Sequence, residues 1–301
     1  MDGLTPVQRR TLDDLMGATV PRPVFGEDLA GRLRAEVEGG VAALSFPDPP
    51  VWLGKHRLND HGRCEGLFVA GLLGEGAAFE HRPQTAAGSL AHKAIELDVP
   101  RGRADPTPAL VERAAARLAE GDTGFAAFWE GLDPLEASEI SQMAVRLAEQ
   151  FRASFPPLQT SWTPVTELSV RQEFGPVIVS GRMDLVLGAQ DREVPMRARR
   201  IALDLKSGRA WPEFPEDMRL YALLMTLRFG VPPFRVASVF LDSGEWQAED
   251  VTEDTLFHAA GRVVRAAEAA AALLAGGEPD LRPGSWCSWC PRAPSCPVAA
   301  A

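Results

Sequence analysis

The sequence is poor in several common residues, and lysine is the rarest of its charged ones. Only three lysines occur (Lys55, Lys93 and Lys206), so arginine supplies the other 28 of the 31 basic residues. Asn59 is the only asparagine, Tyr221 is the only tyrosine, and there are four isoleucines. This bias is typical of a GC-rich genome. A lysine retained inside an apolar strand of such a chain indicates a place where arginine cannot substitute.

Long apolar runs and a basic charge balance are also missing. No segment approaches the roughly 20 apolar residues that a membrane span needs, and the N-terminus MDGLTPVQRR lacks the layout of a signal peptide. We therefore expect a cytoplasmic protein with no membrane partner. The hydrophobic content of 46% is that of a globular chain. The formal net charge of −10 is unusual for a nucleic-acid-binding protein, whose footprint is basic.

The pattern of the chain changes from helical to β-rich near residue 160. Residues 1–57 are rich in Pro, Gly and charge, and we expect a loosely organised lead-in there, followed by one domain over residues 58–301. Helical spacing of apolar residues marks EASEISQMAVRLAEQFRASF. Three β-rich runs follow and predict a meander: TPVTELSVRQEFG, VIVSGRMDLVLG and RRIALDLKSG.

The last third of the chain alternates helix and strand. PEDMRLYALLMTLRFG predicts a helix, FRVASVFLD and EWQAEDV predict a strand pair, and an alanine-rich helix is expected over about 253–275. This order of elements predicts an α/β fold with a mixed central β-sheet flanked by helices.

The strand IALDLKSG carries two charged side chains in an apolar setting. Because strand side chains alternate between faces, Asp204 and Lys206 point one way while Leu203 and Leu205 point the other. Asp184, in GRMD, is expected on the neighbouring strand. Two adjacent carboxylates repel unless a cation lies between them, and oxygen ligands suit Mg²⁺ or Mn²⁺.

Lysine has a use beside such an ion that arginine lacks. It stabilises phosphate charge and, with a lowered pKa, can help to orient or deprotonate an attacking water, whereas arginine stays protonated. The pattern suits metal-assisted phosphodiester hydrolysis, but this three-residue motif taken alone favours the alternative, a structural ion pair between Asp204 and Lys206. Just upstream, MRARR places three arginines in a candidate DNA-binding patch, for which the alternative is a solvated edge: Arg197, Arg199 and Arg200.

Three of the four cysteines lie close together near the C-terminus. Cys287, Cys290 and Cys296 have the spacing C-x2-C-x5-C, and Cys64 lies far upstream. In the cytoplasm these thiols are expected to bind metal rather than to form two disulfides. Zinc in a Cys₄ site accounts for all four.

These motifs together resemble the RecB-like branch of the PD-(D/E)XK nuclease superfamily, over roughly residues 58–297. The resemblance implies a restriction-endonuclease-like core, and it implies metal ligation and catalysis by matching residues. The implied metal ligands are His92 of GSLAH, Asp184 of GRMD, Asp204 of ALDLKSG and the main-chain carbonyl of Leu205. The implied catalytic residues are Asp184, Asp204, Lys206, Glu167 of TELSV and Tyr221 of DMRLY. Gly88 would allow close approach one turn before His92, and Asp217 stands where the family has glutamine.

The cysteines resemble those of the iron–sulfur subset of this branch, which includes AddB and CRISPR-associated adaptation nucleases. That resemblance implies a [4Fe–4S] cluster on Cys64, Cys287, Cys290 and Cys296 that joins the N- and C-terminal segments. Glu65 stands where relatives usually have proline after the first cysteine. Zinc remains the alternative at these four positions.

The expected function is a Mg²⁺- or Mn²⁺-dependent deoxyribonuclease. By resemblance it acts as an exonuclease on single-stranded or frayed DNA ends in repair, recombination or defence, and its partners are a separate helicase or CRISPR or recombination proteins. The alternative is a catalytically silent DNA-binding or structural subunit of a helicase–nuclease or CRISPR complex. A zinc-stapled interaction module is a third hypothesis, but it leaves the Asp204–Lys206 pair unexplained.

Overall fold

The computed structural model describes residues 3–76, 79–208 and 210–299, and within them the chain forms ten α-helices and six β-strands. The helices are α1 (Pro6–Arg10), α2 (Leu29–Val41), α3 (Lys55–Arg63), α4 (Glu65–Leu72), α5 (Pro83–Asp98), α6 (Thr107–Gly121), α7 (Thr123–Glu130), α8 (Pro134–Ser154), α9 (Phe214–Phe229) and α10 (Glu253–Leu274). The strands are β1 (Val51–Leu53), β2 (Val165–Phe174), β3 (Val177–Leu187), β4 (Ile201–Lys206), β5 (Arg235–Phe240) and β6 (Trp246–Asp250).

The strands form one mixed sheet centred on β3. β2, β3 and β4 pair antiparallel in sequence order, β4 pairs parallel with β5, and β5 pairs antiparallel with β6. β2 pairs with almost the whole length of β3 along one of its edges. β1 and β4 therefore both pair with the other edge of β3. β1 pairs parallel with residues 177–179, and β4 pairs with residues 185–187. The sheet therefore opens between β1 and β4, beside the middle of β3.

Two apolar cores cover the faces of the sheet. One holds α2, α9 and α10, and the other holds α5, α6 and α8. On β4 the alternation is regular: Ala202 lies in the first core, and Leu203 and Leu205 lie in the second. On β3 the buried residues change face near residue 184, because Met183 lies in the first core and Leu185 in the second. The backbone of β3 is thus irregular where the sheet opens.

Most of the predicted elements are present. The meander, the strand pair β5–β6, and the helices α8, α9 and α10 are all confirmed. Residues 3–57 contain more regular structure than their composition predicts, because α2 packs into the core and β1 joins the sheet. The apolar residues of α2 recur every four positions and form one buried stripe, which the surrounding Pro- and Gly-rich segments obscure: Leu29, Leu33, Val37 and Val41.

The C-terminal tail returns to the region of α3 and α4. The Glu65 N–H donates to the carbonyl of Asp280 at 3.2 Å, and the Asp280 N–H donates to Glu65 Oε2 at 2.8 Å. Arg292 Nε donates to Glu75 Oε2 at 2.6 Å. These contacts hold residues 280–292 against the start of the domain. Among the described helices, none is both long and apolar enough to cross a membrane.

Candidate active site

Glu167 and Asp184 face each other across β2 and β3. The register pairs on either side place Glu167 directly opposite Asp184, and like charges in that arrangement destabilise a sheet. Glu167 also has a φ of 54°, a left-handed conformation that costs a non-glycine residue on the order of 1–3 kcal/mol. Such strain is concentrated at active sites and ligand-binding sites. A cation between the two carboxylates would offset their repulsion.

His92 completes a compact group of donor atoms with these two carboxylates. It lies on α5, and its Nδ1 is 3.4 Å from Asp184 Oδ1. One ligating atom from each of His92, Glu167 and Asp184 lies within 4.8 Å of the other two. α5 comes this close to the sheet because Gly88 has no side chain. A Cβ there would lie 2.5 Å from Ser207 Oγ, in the loop after β4.

The pKa values in this group respond to burial and to the concentration of charge. Burial lowers the pKa of His92, but the contact with Asp184 and the nearby carboxylates outweigh it, so the pKa is raised. Burial raises the pKa of Asp184, but His92, the Leu205 N–H and Lys55 together outweigh it, so that pKa is lowered. Burial raises the pKa of Glu167, and Arg182, 2.9 Å from Glu167 Oε2, only partly offsets the rise. The group is therefore an electrostatic environment that favours a cation.

β4 presents Asp204 and Lys206 on the same face, as the alternation predicts. Lys206 Nζ forms an ion pair with Asp204 Oδ2. Burial raises the pKa of Asp204, the neighbouring Asp184 carboxylate raises it further, and the lysines only partly offset the rise. The two predicted acidic residues thus lie close enough to influence each other.

The main chain of β4 connects these residues. β4 leaves the β3 ladder after residue 203, and the Leu205 N–H donates instead to Asp184 Oδ2 at 2.6 Å. Because the N–H and C=O of a strand residue face the same neighbour, the Leu205 carbonyl also faces Asp184. The compact group among the described residues comprises His92, Glu167 and Asp184, and two lysine side chains approach the Asp204 carboxylate beside it. Metal ligation by Asp204 stays a prediction.

Lys55 is a site residue that sequence reasoning missed. It is the first residue of α3, and its Nζ lies 3.7 Å from Asp204 Oδ1. Two of the three lysines of the chain therefore meet one carboxylate. The rarity of lysine is the one feature of the sequence that could have drawn attention to Lys55, but only the fold brings it close to Lys206.

Helix α9 carries two residues that adjoin the site, Asp217 and Tyr221. Asp217, at the position of the family glutamine, lies 3.9 Å from Lys206 Nζ and accepts a hydrogen bond of 2.8 Å from Asn59 Nδ2. Asn59, the only asparagine, was also missed by sequence reasoning. Tyr221 is buried, and its ring occupies the space left by Gly181, where a Cβ would lie 2.8 Å from the ring. The catalytic role of Tyr221 stays a prediction.

The arginine patch lies at the other end of β4 from Lys206. Arg197 and Arg199 approach the buried carboxylate of Asp191 at 3.1 and 3.9 Å. The guanidinium of Arg200 lies 4.4 Å from the centroid of the Phe229 ring. These arginines are partly occupied by contacts within the protein, and their DNA-binding role stays a prediction.

All four cysteines line one cavity of about 160 Å³ between α4 and the C-terminal tail. Cys64 is buried and accepts a hydrogen bond from the Arg282 N–H at 3.4 Å. All four cysteines belong to the described residues, and their thiols form no disulfides. No group of three among their Sγ atoms lies within 4.8 Å of one another. The fold thus brings the early and late cysteines to one place, with an open space between them.

The donor set fits a divalent cation. Carboxylate and carbonyl oxygens suit Mg²⁺ and Mn²⁺, and imidazole is a common ligand of transition metals. His92, Glu167 and Asp184 are already grouped, and Asp204 and the Leu205 carbonyl adjoin them on the next strand. The strain at Glu167 and the facing carboxylates are the observations that call for a positive ion here.

The chain matches one known family in sequence and resembles solved structures only distantly. A "Putative exonuclease" from Eubacterium rectale has 13% identity, with 77% of this chain and 85% of that chain covered and a TM-score of 0.44. The structure of SSO0001 has 14% identity, with 90% and 97% covered and a TM-score of 0.35. No curated protein matches the chain in sequence. The family model of the PD-(D/E)XK nuclease superfamily matches residues 56–297, and the chain therefore belongs to that superfamily.

Proposed function

We propose that the protein is a Mg²⁺- or Mn²⁺-dependent deoxyribonuclease that hydrolyses phosphodiester bonds. The observation that carries the proposal is the arrangement of two groups at the opening of the sheet. The donor atoms of His92, Glu167 and Asp184 lie together, and the Asp204–Lys206 pair lies on the adjoining strand. A cation site next to a lysine suits hydrolysis of a phosphodiester, because the ion activates a water and the ammonium group stabilises phosphate charge.

Each residue has a distinct role in this proposal. When bound, the divalent ion neutralises phosphate charge and lowers the pKa of a coordinated water. The compact group would hold the ion, and Asp204 and the Leu205 carbonyl would complete its ligands. Lys206, whose side chain is mostly buried, donates hydrogen bonds to a phosphate oxygen or orients the attacking water. The Asp217 carboxylate, 3.9 Å from the Lys206 ammonium group, stabilises its positive charge.

The substrate and the setting of the reaction are the finer part of the proposal. The resemblance to the RecB-like branch supports an exonuclease that acts on single-stranded or frayed DNA ends in repair, recombination or defence. It also supports a helicase, or CRISPR or recombination proteins, as separate partner chains.

Cleavage of labelled DNA tests the catalytic proposal. With Mn²⁺, the parent protein should degrade end-labelled single-stranded DNA, and Asp184→Ala and Lys206→Ala should each reduce the rate by a factor on the order of 10²–10⁴. Circular dichroism should show that both variants keep the fold. If both variants cut as fast as the parent, the activity belongs to a contaminant. If the parent binds DNA but does not cut it, the protein is a silent DNA-binding subunit.

The same proposal assigns a [4Fe–4S] cluster to the four cysteines. The support for it is the resemblance to the iron–sulfur subset, together with the position of all four cysteines around one cavity. Zinc in a Cys₄ site remains the alternative.

Metal analysis distinguishes the two cofactors. Anaerobically purified protein should be brown, should contain iron rather than zinc, and should lose its broad visible absorption in a Cys287→Ser variant. A colourless protein with one zinc ion per chain would contradict the cluster and leave the nuclease proposal intact.

A further inference from the structure

Lys55 has no assigned role, yet its ammonium group lies at the site. Its Nζ is 3.7 Å from Asp204 Oδ1, while Lys206 is paired with the other oxygen of the same carboxylate. A separation of 3.7 Å is longer than a hydrogen bond, so Lys55 is close to Asp204 without being committed to it. Lys55 also lies just outside the matched residues 56–297.

The position of Lys55 is set by its surroundings. It begins α3 directly after β1, and Asn59 of the same helix donates a hydrogen bond to Asp217 on α9. Arg262 in turn donates to Asn59 Oδ1 at 2.5 Å. The Lys55 Nζ lies 5.6 Å from the centroid of the Tyr221 ring, within cation–π range. The N-terminus of α3 is therefore anchored through α9 and α10.

Lys55 is the more accessible of the two lysines. Its side chain is 25% exposed, compared with 13% for Lys206. A larger part of the Lys55 side chain is therefore open to a substrate phosphate that arrives from solvent.

The inner site is rich in negative charge. Two lysines lie beside four carboxylates, namely Glu167, Asp184, Asp204 and Asp217. Removal of the Lys55 ammonium group would make the site more negative towards a substrate that is itself an anion. Arg182 does not replace it, because its side chain is 68% exposed and its charge is screened by solvent.

We propose that Lys55 is a second phosphate-binding group, whose ammonium contacts a phosphate of the bound DNA strand while Lys206 serves the reacting one. This inference rests on the proposed nuclease function and adds a residue to its substrate-binding site. It makes Lys55 a contact to the sugar–phosphate backbone, so its contribution should be independent of base sequence.

DNA binding without turnover tests this role. Anisotropy of fluorescein-labelled oligo(dT) is measured in EDTA over a series of NaCl concentrations. Lys55→Gln should weaken binding several-fold and should lower the slope of log K against log salt by about 0.7, the value for one lost contact to single-stranded DNA. Lys55→Arg keeps the charge, so it should retain both the DNA affinity and the salt slope of the parent protein. Lys93→Gln is the matched control, because Lys93 pairs with Glu96 on α5, and it should match the parent.

Mn²⁺ affinity separates a phosphate contact from a merely structural role. Loss of a cation beside Asp204 should leave Mn²⁺ binding as tight as in the parent or tighten it, while DNA binding weakens. If Lys55→Gln has the slope of Lys93→Gln, or if it loses Mn²⁺ and DNA affinity together, the inference is wrong. The nuclease proposal fails separately, if the parent protein does not cut DNA or if Asp184→Ala cuts as fast as the parent.

Discussion

At Glu167 the backbone stores strain beside the candidate metal ligands. Glu167→Gly removes the steric cost of φ 54° and one of two facing carboxylates. We expect the free energy of unfolding to rise by about 1 kcal/mol, the lower end of the cost of a left-handed non-glycine residue, while DNA cleavage falls. Urea denaturation in EDTA measures the first effect. Glu167→Gln is the control, since it removes the charge and keeps the strain, and a Glu167→Gly variant less stable than Glu167→Gln would contradict the strain argument.

Gly88 decides how closely α5 approaches the sheet. In Gly88→Ala, the added Cβ would lie 3.1 Å from Ser207 Cβ, tighter than ordinary contact, so α5 and the loop after β4 must separate slightly. We expect Gly88→Ala to reduce the cleavage rate by up to about 100-fold, because small misplacements of catalytic groups have large effects on rate. The unfolding midpoint should change little, since alanine favours the helix.

Gly31 offers the matched control for that substitution. It lies on α2 with no atom near its missing Cβ, so Gly31→Ala should stabilise the protein by ~0.5–1 kcal/mol and leave the cleavage rate unchanged. Equal rates for Gly88→Ala and Gly31→Ala would show that the close approach of α5 is unimportant for catalysis.

At the scale of the element, α3 links the site to the cysteine cavity. Lys55 is the first residue of the helix, and Cys64 follows its last residue. Between them, Asn59 donates a hydrogen bond to Asp217 of α9. Asp60 lies on the same helix, and burial raises its pKa to about 6, an effect that Arg63 and Arg57 only partly offset.

Asp60 should make stability depend on pH. Because its pKa in the folded protein lies above the unfolded value, its charge destabilises the fold above about pH 6, and the penalty disappears below about pH 4. Asp60→Asn should therefore be more stable than the parent at about pH 8, by at most about 3 kcal/mol for roughly two pKa units. Urea denaturation at about pH 4 and at about pH 8 measures the difference. A difference that does not change with pH would show that burial does not perturb Asp60.

At the scale of the whole molecule, the cysteine cavity joins parts of the chain that lie far apart in sequence. Cys64 and Cys287 would be linked through the proposed cluster, and closing a loop of this length is worth about 5 kcal/mol by disulfide-type estimates. Cluster-free Cys287→Ser should therefore unfold at lower urea and should lose residues 280–299 to limited proteolysis. Lys93→Gln, which leaves the cavity untouched, should resist like the parent. A tail equally resistant in the cluster-free variant would mean that contacts such as Arg292 with Glu75 suffice to hold it.

Local pattern predicted much of the fold. α8 and α10 were expected from helical periodicity, and the β2–β4 meander from alternation and turns. The meander also predicted that Asp184 and Asp204 would lie on adjacent strands. α2 and β1 were missed because Pro- and Gly-rich flanks obscure short apolar patterns. Nothing local could reveal that Glu167 would adopt a left-handed backbone.

By itself, the sequence determined which side chains share a face of each strand, and the resemblance it carries indicated the chemistry that those side chains suit. Only the tertiary structure decided that Lys55 and Lys206 meet at Asp204, that Asn59 supports Asp217, and that four cysteines share one cavity. The physical reason is range. Alternation and helical period depend on neighbours a few residues away, whereas Asn59 and Asp217 are 158 residues apart and meet only because α3 and α9 pack together.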